Sequence, residues 1–315
     1  MSVNCLEKYD FKEIVGYSEY PDGQLKECML GACNEVQTPC GILVPQYDNG
    51  DMRRKYTKSL SFYKSGAVES ISLHKQTPVN TPLGIIPAEL ITFYESGAVK
   101  RIFPLNGKIS GYWSENDEYG LAQEFEFSFP FGTIRAKIIG VQFYEAGTVK
   151  SLTFWPGESI EIPTRVGIIK TRIGMSLYPD GQIKSLEPAQ PVSVCTPIGE
   201  ITAFNTAAIG INGDVNSLCF DKSGVIKSLV TSSDIITVIK DSKSKIFGPG
   251  LQPSLLDSMK NEILPLNLRF QDNYVFLSEG SSLGYNINEH SFVIKHLSEL
   301  LMRNCGSCES CSGCV

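Results

Sequence analysis

The chain has 315 residues, ten of them cysteine, with a net charge of −6 and a pI near 5.3. That balance offers no cationic surplus to grip a phosphate backbone, so nucleic acid is not expected as a partner. No stretch approaches 18 consecutive apolar residues, so no transmembrane segment is expected.

Met1-Ser2-Val3-Asn4-Cys5-Leu6-Glu7-Lys8 has no basic segment followed by an apolar one. A cytoplasmic location is therefore expected, with cysteines serving as thiols or metal ligands rather than as a disulfide framework.

From the first hairpin onward one phrase recurs: an aromatic or apolar pair, one or two polar residues, a Gly, then a β-branched residue followed by Lys or another polar residue. Gly23 centres a weak copy. The best copies are Phe62-Tyr63-Lys64-Ser65-Gly66-Ala67-Val68, Phe93-Tyr94-Glu95-Ser96-Gly97-Ala98-Val99-Lys100 and Phe143-Tyr144-Glu145-Ala146-Gly147-Thr148-Val149-Lys150. Further weak copies surround Gly181, Gly213 and Gly224, which makes seven. Alternation before each Gly and a Gly free to take positive φ predict a β-hairpin. After the turn the apolar residues stand three apart, as in Val68 and Ile71, Val99 and Ile102, or Val149 and Leu152. Ile183 and Leu186, and Ile226 and Leu229, share that offset. An odd spacing sends two side chains to opposite faces of a flat strand, so a bulge or corner is expected in each copy. Val68, Val99 and Val149 should then face inward at equivalent positions.

A second phrase alternates with the first, at Thr38-Pro39-Cys40-Gly41-Ile42, Thr81-Pro82-Leu83-Gly84-Ile85, Phe129-Pro130-Phe131-Gly132-Thr133 and Thr196-Pro197-Ile198-Gly199-Glu200. Ile162-Pro163-Thr164-Arg165-Val166-Gly167-Ile168 is a looser copy. Pro followed two residues later by Gly predicts another turn between strands. Such units bury their apolar faces by stacking on neighbours. The largest insertion runs from Gly107 to Ala122 and holds Tyr112-Trp113 and the acidic run Glu115, Asp117 and Glu118. The acidic run reads as a solvated loop, with cation binding as the alternative. Trp113 and Trp155 could line a recognition groove.

The first phrase resembles MORN-type repeats, especially bacterial variants marked by an aromatic pair, a turn Gly and a following Lys, and the resemblance covers about residues 15 to 230. The further glycines and the Trp of the strict pattern are missing, and the Thr-Pro-x-Gly phrase is foreign to it. The resemblance implies a twisted antiparallel sheet that acts as an interaction surface rather than a catalyst. The foreign phrase leaves a closed β-solenoid or β-roll open as the alternative. The whole chain also resembles bacterial proteins in which these phrases alternate, which implies no activity.

Past the repeats, Ile235-Ile236-Thr237-Val238-Ile239 reads as a strand, Pro253 to Lys260 as the start of a short helix, and Leu266 to Leu277 as strand again. Val293, Leu297, Leu300 and Leu301 stand at helical spacing, so an amphipathic helix is expected over 292–302. The expected organisation is an all-β repeat domain at 1–234, a small capping region at 235–304 and a Cys-rich tail at 305–315.

The tail reads Cys305-Gly306-Ser307-Cys308-Glu309-Ser310-Cys311-Ser312-Gly313-Cys314-Val315. Gly and Ser between the cysteines offer no packing, so thiol chemistry is the expectation. Cys305, Cys308 and Cys311 match the spacing of the first three ligands of a ferredoxin-type cluster, but Cys314 follows too soon and lacks the Pro. Zinc or another soft ion held by the four thiolates is the second reading, with Cys28 and Cys33 or a partner chain able to contribute. A disordered tail whose exposed thiols form mixed disulfides or receive a metal or cluster in passing is the third. Cys195 and Cys219 read as small buried hydrophobes. His74 reads as a loop or surface residue, and His290 and His296 as solvated, with His296 a possible ligand.

No Gly-x-Ser-x-Gly, phosphate loop, dinucleotide fingerprint or His-Glu-x-x-His occurs. The expected function is a non-enzymatic scaffold for a protein partner, bearing a tail that binds an iron–sulfur cluster or zinc. A redox or metal-delivery protein, in which the tail is the working part and the repeats dock it, is the alternative.

Overall fold

The computed structural model describes residues 10–48, 53–54, 58–210, 212–254, 261–278 and 283–297. Among them the chain is nearly all β, with antiparallel pairing throughout its strand ladders and one seven-residue helix. No described helix is long and apolar enough to cross a membrane. The chain divides into two compact units, Met1–Glu158 with Leu177–Gly181, and Ser159–Ser176 with Gln182–Val315.

The first unit contains β1 (Ile14–Glu19), β2 (Leu25–Leu30), β3 (Val36–Thr38), β4 (Gly41–Leu43), β5 (Leu60–Phe62), β6 (Val68–Thr81), β7 (Gly84–Phe93) and β8 (Val99–Phe103). After these come α1 (Glu115–Leu121), β9 (Glu124–Phe129), β10 (Gly132–Phe143) and β11 (Val149–Phe154). Strands β1, β2, β5, β6, β7, β8, β10 and β11 pair in that order, each antiparallel to the next. One row across this ladder is Cys28, Leu60, Ile71, Ile91, Ile102, Val141 and Leu152, and none of the seven exceeds 1% exposure. The adjacent row on the opposite face is polar: Glu27, Ser61, Ser70, Thr92, Arg101, Gln142 and Ser151. Its members bond along the row, with the Ser61 and Ser70 hydroxyls 2.6 Å apart and Arg101 donating to Gln142 Oε1 at 2.6 Å.

The hairpins turning at Gly23, Gly66, Gly97, Gly147 and Gly224 carry the expected bulge. Ser61 stands opposite Ser70 and Phe62 opposite Val68, which leaves Glu69 as the extra residue. Lys26, Lys100, Lys150 and Lys227 are the extra residues of their own hairpins. The bulge lets Val68 and Ile71 serve one layer despite their odd spacing. Val68, Val99 and Val149 occupy equivalent places opposite Phe62, Phe93 and Phe143. Val149 is buried, whereas Val68 and Val99 are half-buried.

The second phrase makes the other set of hairpins. Thr38 Oγ1 donates to Gly41 O at 2.8 Å and accepts from Cys40 N, and Thr81 repeats the bond to Gly84 O at 2.7 Å. Bent strands join some of these hairpins to the ladder. Strand β10 pairs with β9 over 132–137 and with β11 over 138–143. In β6 the register breaks between Ser72 and Thr77, opposite Leu90 and Ala88, so Glu89 alone faces a four-residue bulge. Gly140 stands where β8 approaches β10, and a Cβ there would lie 3.1 Å from Ile102 O.

The second unit contains β12 (Ile160–Thr164), β13 (Gly167–Leu177), β14 (Ile183–Pro188), β15 (Val192–Thr196), β16 (Gly199–Ala203), β17 (Leu218–Phe220) and β18 (Ile226–Thr231). It continues with β19 (Asp234–Lys240), β20 (Lys243–Phe247), β21 (Gly250–Pro253), β22 (Asn261–Leu264), β23 (Leu266–Gln271), β24 (Tyr274–Leu277), β25 (Gly284–Asn286) and β26 (Ser291–His296). Its ladder runs β14, β17, β18, β23, β24, β25. In the looser copy of the second phrase, Thr164 takes the same latch position as Thr38 and Thr81 and donates to Gly167 O at 2.7 Å.

Two expectations are corrected, and a third lies largely outside the described residues. Gly213 is not a hairpin turn: it lies between β16 and β17 without positive φ, so six copies of the first phrase remain. Residues 291–296 form β26, paired with β19 so that Val293 stands opposite Thr237, where the first half of a helix over 292–302 was expected; Leu297 is helical, and the rest of that helix lies outside the described residues. Alternation of Phe292, Ile294 and His296 satisfies a strand as well as the wider apolar spacing satisfies a helix, and the waiting edge of β19 decides it. Pro253 closes β21, and the rest of the helix expected over 253–260 lies outside the described residues apart from Ser254.

Candidate functional site

The expected metal ligands Cys305, Cys308, Cys311 and Cys314 lie outside the described residues. Among the described residues no group of three or more His, Cys, Asp or Glu side chains is arranged to hold a metal ion. Cys28 does not suit the helper role considered for it. It is 1% exposed in the apolar row, and burial, aided by the charge of Glu27, pushes its pKa up to about 12. A thiol so protonated at neutral pH is a poor ligand. Cys33 is exposed. Cys195 is also exposed, on β15 opposite Glu200, which corrects its reading as a buried hydrophobe. Cys219 is half-buried, its Sγ donates to Asn216 O at 3.3 Å, and burial raises its pKa.

The histidines are mostly engaged in packing. His74 belongs to β6 rather than to a loop, is half-buried and stacks on Tyr47 with ring centroids 4.0 Å apart. His290 Nδ1 lies 2.8 Å from Asn286 O. His296 ends β26, opposite Asp234.

The acidic insertion is not a solvated loop throughout. Helix α1 starts with a capping box, in which Asp117 N donates to Ser114 Oγ and Ser114 N donates to Asp117 Oδ2 at 2.8 Å. Hydrogen bonds from Ser114 hold the Asp117 carboxyl below its usual pKa. The next residue, Glu118, points inward at 3% exposure. Its Oε1 accepts from Arg53 Nη1 and Gly107 N, each at 2.8 Å, and its Oε2 from Trp113 Nε1 at 2.7 Å. Arg53 also donates to Glu89 Oε1, and Glu89 Oε2 accepts from Asn106 N at 2.7 Å. Burial opposes the charge on Arg53, and the bonds to the two carboxylates outweigh it, so its pKa is raised. With all four carboxylate oxygens committed, this is a structural pin for the insertion rather than an acid–base pair. Glu115, Asp117 and Glu118 therefore do not converge on a cation.

The two tryptophans do not line a groove. Trp113 is spent on Glu118, and Trp155 is 7% exposed with its ring edge-on to Tyr119 at 6.0 Å.

The repeated surface lies at the hairpin edge. Tyr20 Oη donates to Phe62 O at 2.8 Å, Tyr63 Oη to Phe93 O at 2.8 Å, Tyr94 Oη to Phe143 O at 2.9 Å, and Tyr144 Oη to Leu177 O at 2.8 Å. Each repeat thus clamps the next through a phenol. Burial raises the pKa of Tyr63 and Tyr144, which keeps them donors. The bulged lysines lie over these rings, Lys26 5.9 Å from Tyr20, Lys100 5.7 Å from Tyr94 and Lys150 5.9 Å from Tyr144. The outcome is a row of half-buried tyrosines in which Tyr20, Tyr94 and Tyr144 carry a lysine over the ring and Tyr63 has Glu69 in the bulge beside it, with Glu95 and Glu145 exposed on the turns. In the last hairpin Asp221 replaces Tyr and folds onto its own turn, where its Oδ1 accepts from Ser223 N, Ser223 Oγ and Val225 N.

The sequence phrase contained each Tyr and Lys of the row, but only the bulge brings the Lys over the ring. Arg53 and Glu89 were missed altogether, and the one signal for them was a lone carboxylate inside the apolar run Pro87-Ala88-Glu89-Leu90-Ile91. No protein-family model matches the chain, and no curated protein or solved structure matches it either.

Proposed function

We propose that this protein is a non-enzymatic, MORN-like interaction scaffold for a protein partner, working in the reducing cytoplasm and carrying a metal- or cluster-binding thiol tail. The observation that carries the scaffold reading is the repeated tyrosine–lysine row. Tyrosine clamps recur at successive hairpins of the first unit, with a bulged lysine over the ring at Tyr20, Tyr94 and Tyr144 and Glu69 in the bulge beside Tyr63, which suits recognition of an extended partner by many weak, similar contacts. Asp117 and Glu118 of the insertion are consumed by the fold, which leaves this row as the best-supported surface. The tail reading rests on the four thiols and their spacing.

Two arms test the proposal. Lys26, Lys100 and Lys150 exchanged together for Glu should abolish cross-linking to the partner, while truncation after residue 304 should leave it intact. Loss of cross-linking on truncation alone would favour the delivery reading, in which the tail is the working part. Protein isolated anaerobically should contain iron with sulfide, or zinc, and Cys305, Cys308 and Cys311 exchanged for Ser should remove it. A reduced chain made with both metals present that holds neither, and resists reconstitution, overturns the tail reading and leaves the scaffold reading standing.

A further inference from the structure

The tyrosine row has a fixed step. Tyr20, Tyr63, Tyr94 and Tyr144 belong to the hairpins β1–β2, β5–β6, β7–β8 and β10–β11, which follow one another in the ladder without a gap. Neighbouring strands lie about 4.8 Å apart, so equivalent groups on successive hairpins recur about every 9.6 Å. A polyproline II helix has about three residues per turn and rises about 3.1 Å per residue, so one of its faces recurs about every 9.3 Å. From Tyr20 to Tyr144 the accumulated mismatch is only about 1 Å.

Other regular peptide conformations fall out of step. An extended strand returns to the same face about every 6.8 Å, and the row runs across the strands, so it offers no strand edge to extend. Seven residues of α-helix advance about 10.5 Å, which accumulates an error of about 3 Å over the same three steps. Polyproline II has no internal hydrogen bonds, so it can also bend with the twist of the ladder. Rows of aromatic side chains are a general platform for it.

The charges beside the rings supply the complement. Tyr20 has Lys26 and Lys64 at 5.9 and 5.8 Å from its ring centroid. Lys64 also pairs with Asp22 at 3.8 Å, an exposed and therefore weak ion pair. Burial, then the charges of Glu69 and Glu95, raise the pKa of Tyr63, which places both carboxylates near that ring. Tyr94 has Lys100 at 5.7 Å. At Tyr144 a carboxylate offsets Lys150, since burial, then neighbouring tyrosines and Asp180, raise the pKa of the phenol. The signs along the row are therefore plus, minus, plus and mixed. Among the described residues Lys26, Glu69 and Lys100 form no ion pair, so their charges are open to a ligand.

We propose, resting on the scaffold reading of this row, that the segment it docks is a proline-rich peptide in the polyproline II conformation with one charged residue per turn, acidic over Tyr20 and Tyr94 and basic over Tyr63. The order acidic, basic, acidic reads the same from either end, so either chain direction satisfies it.

Fluorescence polarisation of labelled peptides on the full chain tests this. The matched probe is Glu-Pro-Pro, Lys-Pro-Pro, Glu-Pro-Pro with an all-proline triplet at each end. It should bind, while the peptide with Glu at all three charged places binds at least about tenfold more weakly. A peptide with the matched charges but Gly-Ser in place of every Pro-Pro should also lose at least about tenfold, because it is not preorganised. Glu69→Lys with Glu95→Lys should reverse the order of the matched and all-acidic peptides. Each of these lysines already stands at the same place in another hairpin, so the denaturation midpoint should hold. No binding of the matched probe at millimolar concentration, equal binding of its Gly-Ser counterpart, or a ranking unmoved by the double exchange would each overturn the assignment. Failure of the peptides while the Lys26, Lys100 and Lys150 exchange still abolishes cross-linking overturns the ligand and spares the scaffold. Cross-linking that survives that exchange overturns the scaffold reading itself.

Discussion

The hairpin ladder of the first unit and the insertion between β8 and β9 are held by opposite strategies. The ladder repeats a few small devices: a phenol clamp, a glycine turn, a bulge and a row of buried apolar residues across the strands. The insertion depends on one charged knot, in which Arg53, Glu89 and Glu118 satisfy one another together with Trp113 and two backbone amides. A repeated device spreads its stabilisation over many weak contacts, and loss of one is tolerable. A single knot is all-or-none, because each missing partner leaves a charge buried.

Arg53→Met gives the sharpest break of this contrast. It should cost about 3–5 kcal/mol, since two buried carboxylates lose their cation, and urea denaturation would measure it. Phe93→Ala in the ladder should cost a similar 3–5 kcal/mol, here through a cavity rather than an unpaired charge. The two defects are distinguishable by hydrogen exchange, which should rise around Gly107 and Lys108 for Arg53→Met and around β7 and β8 for Phe93→Ala.

Turn chemistry comes next in size. Gly147 has φ of +91°, and a Cβ added there would meet no atom within 4 Å, so Gly147→Ala isolates backbone strain. About 1–2 kcal/mol of destabilisation is expected, read from the denaturation midpoint. The smallest effect belongs to a single clamp. Tyr94→Phe removes the hydroxyl that bonds Phe143 O and should cost about 0.5–1.5 kcal/mol. A cost for Tyr94→Phe as large as that of Arg53→Met would erase the distinction between the two regions.

Much of the ladder was legible because its devices recur. The offset from Val99 to Ile102 announced the bulge that leaves Lys100 unpaired in register, and Gly97 announced the turn. The insertion was not legible. Glu118 sits among Glu115, Asp117 and Tyr119 in a run that reads as solvated, and nothing local reveals that Arg53, 65 residues earlier, waits for it. Burial of a charge depends on a partner distant in sequence, and a single occurrence leaves no period to detect. Strand β26 was misread for a related reason: its apolar spacing suits two conformations, and the choice falls to the edge of β19.

The sequence by itself determined an antiparallel β protein built of two alternating hairpin types, because glycine turns and strand alternation are local properties of the chain. Only the tertiary structure decided that the phenols clamp one repeat to the next, that bulged lysines lie over three of the rings and that Cys28 is sealed into the apolar row. Those facts depend on which strands become neighbours, and the burial that fixes the state of each polar group exists only after they have paired.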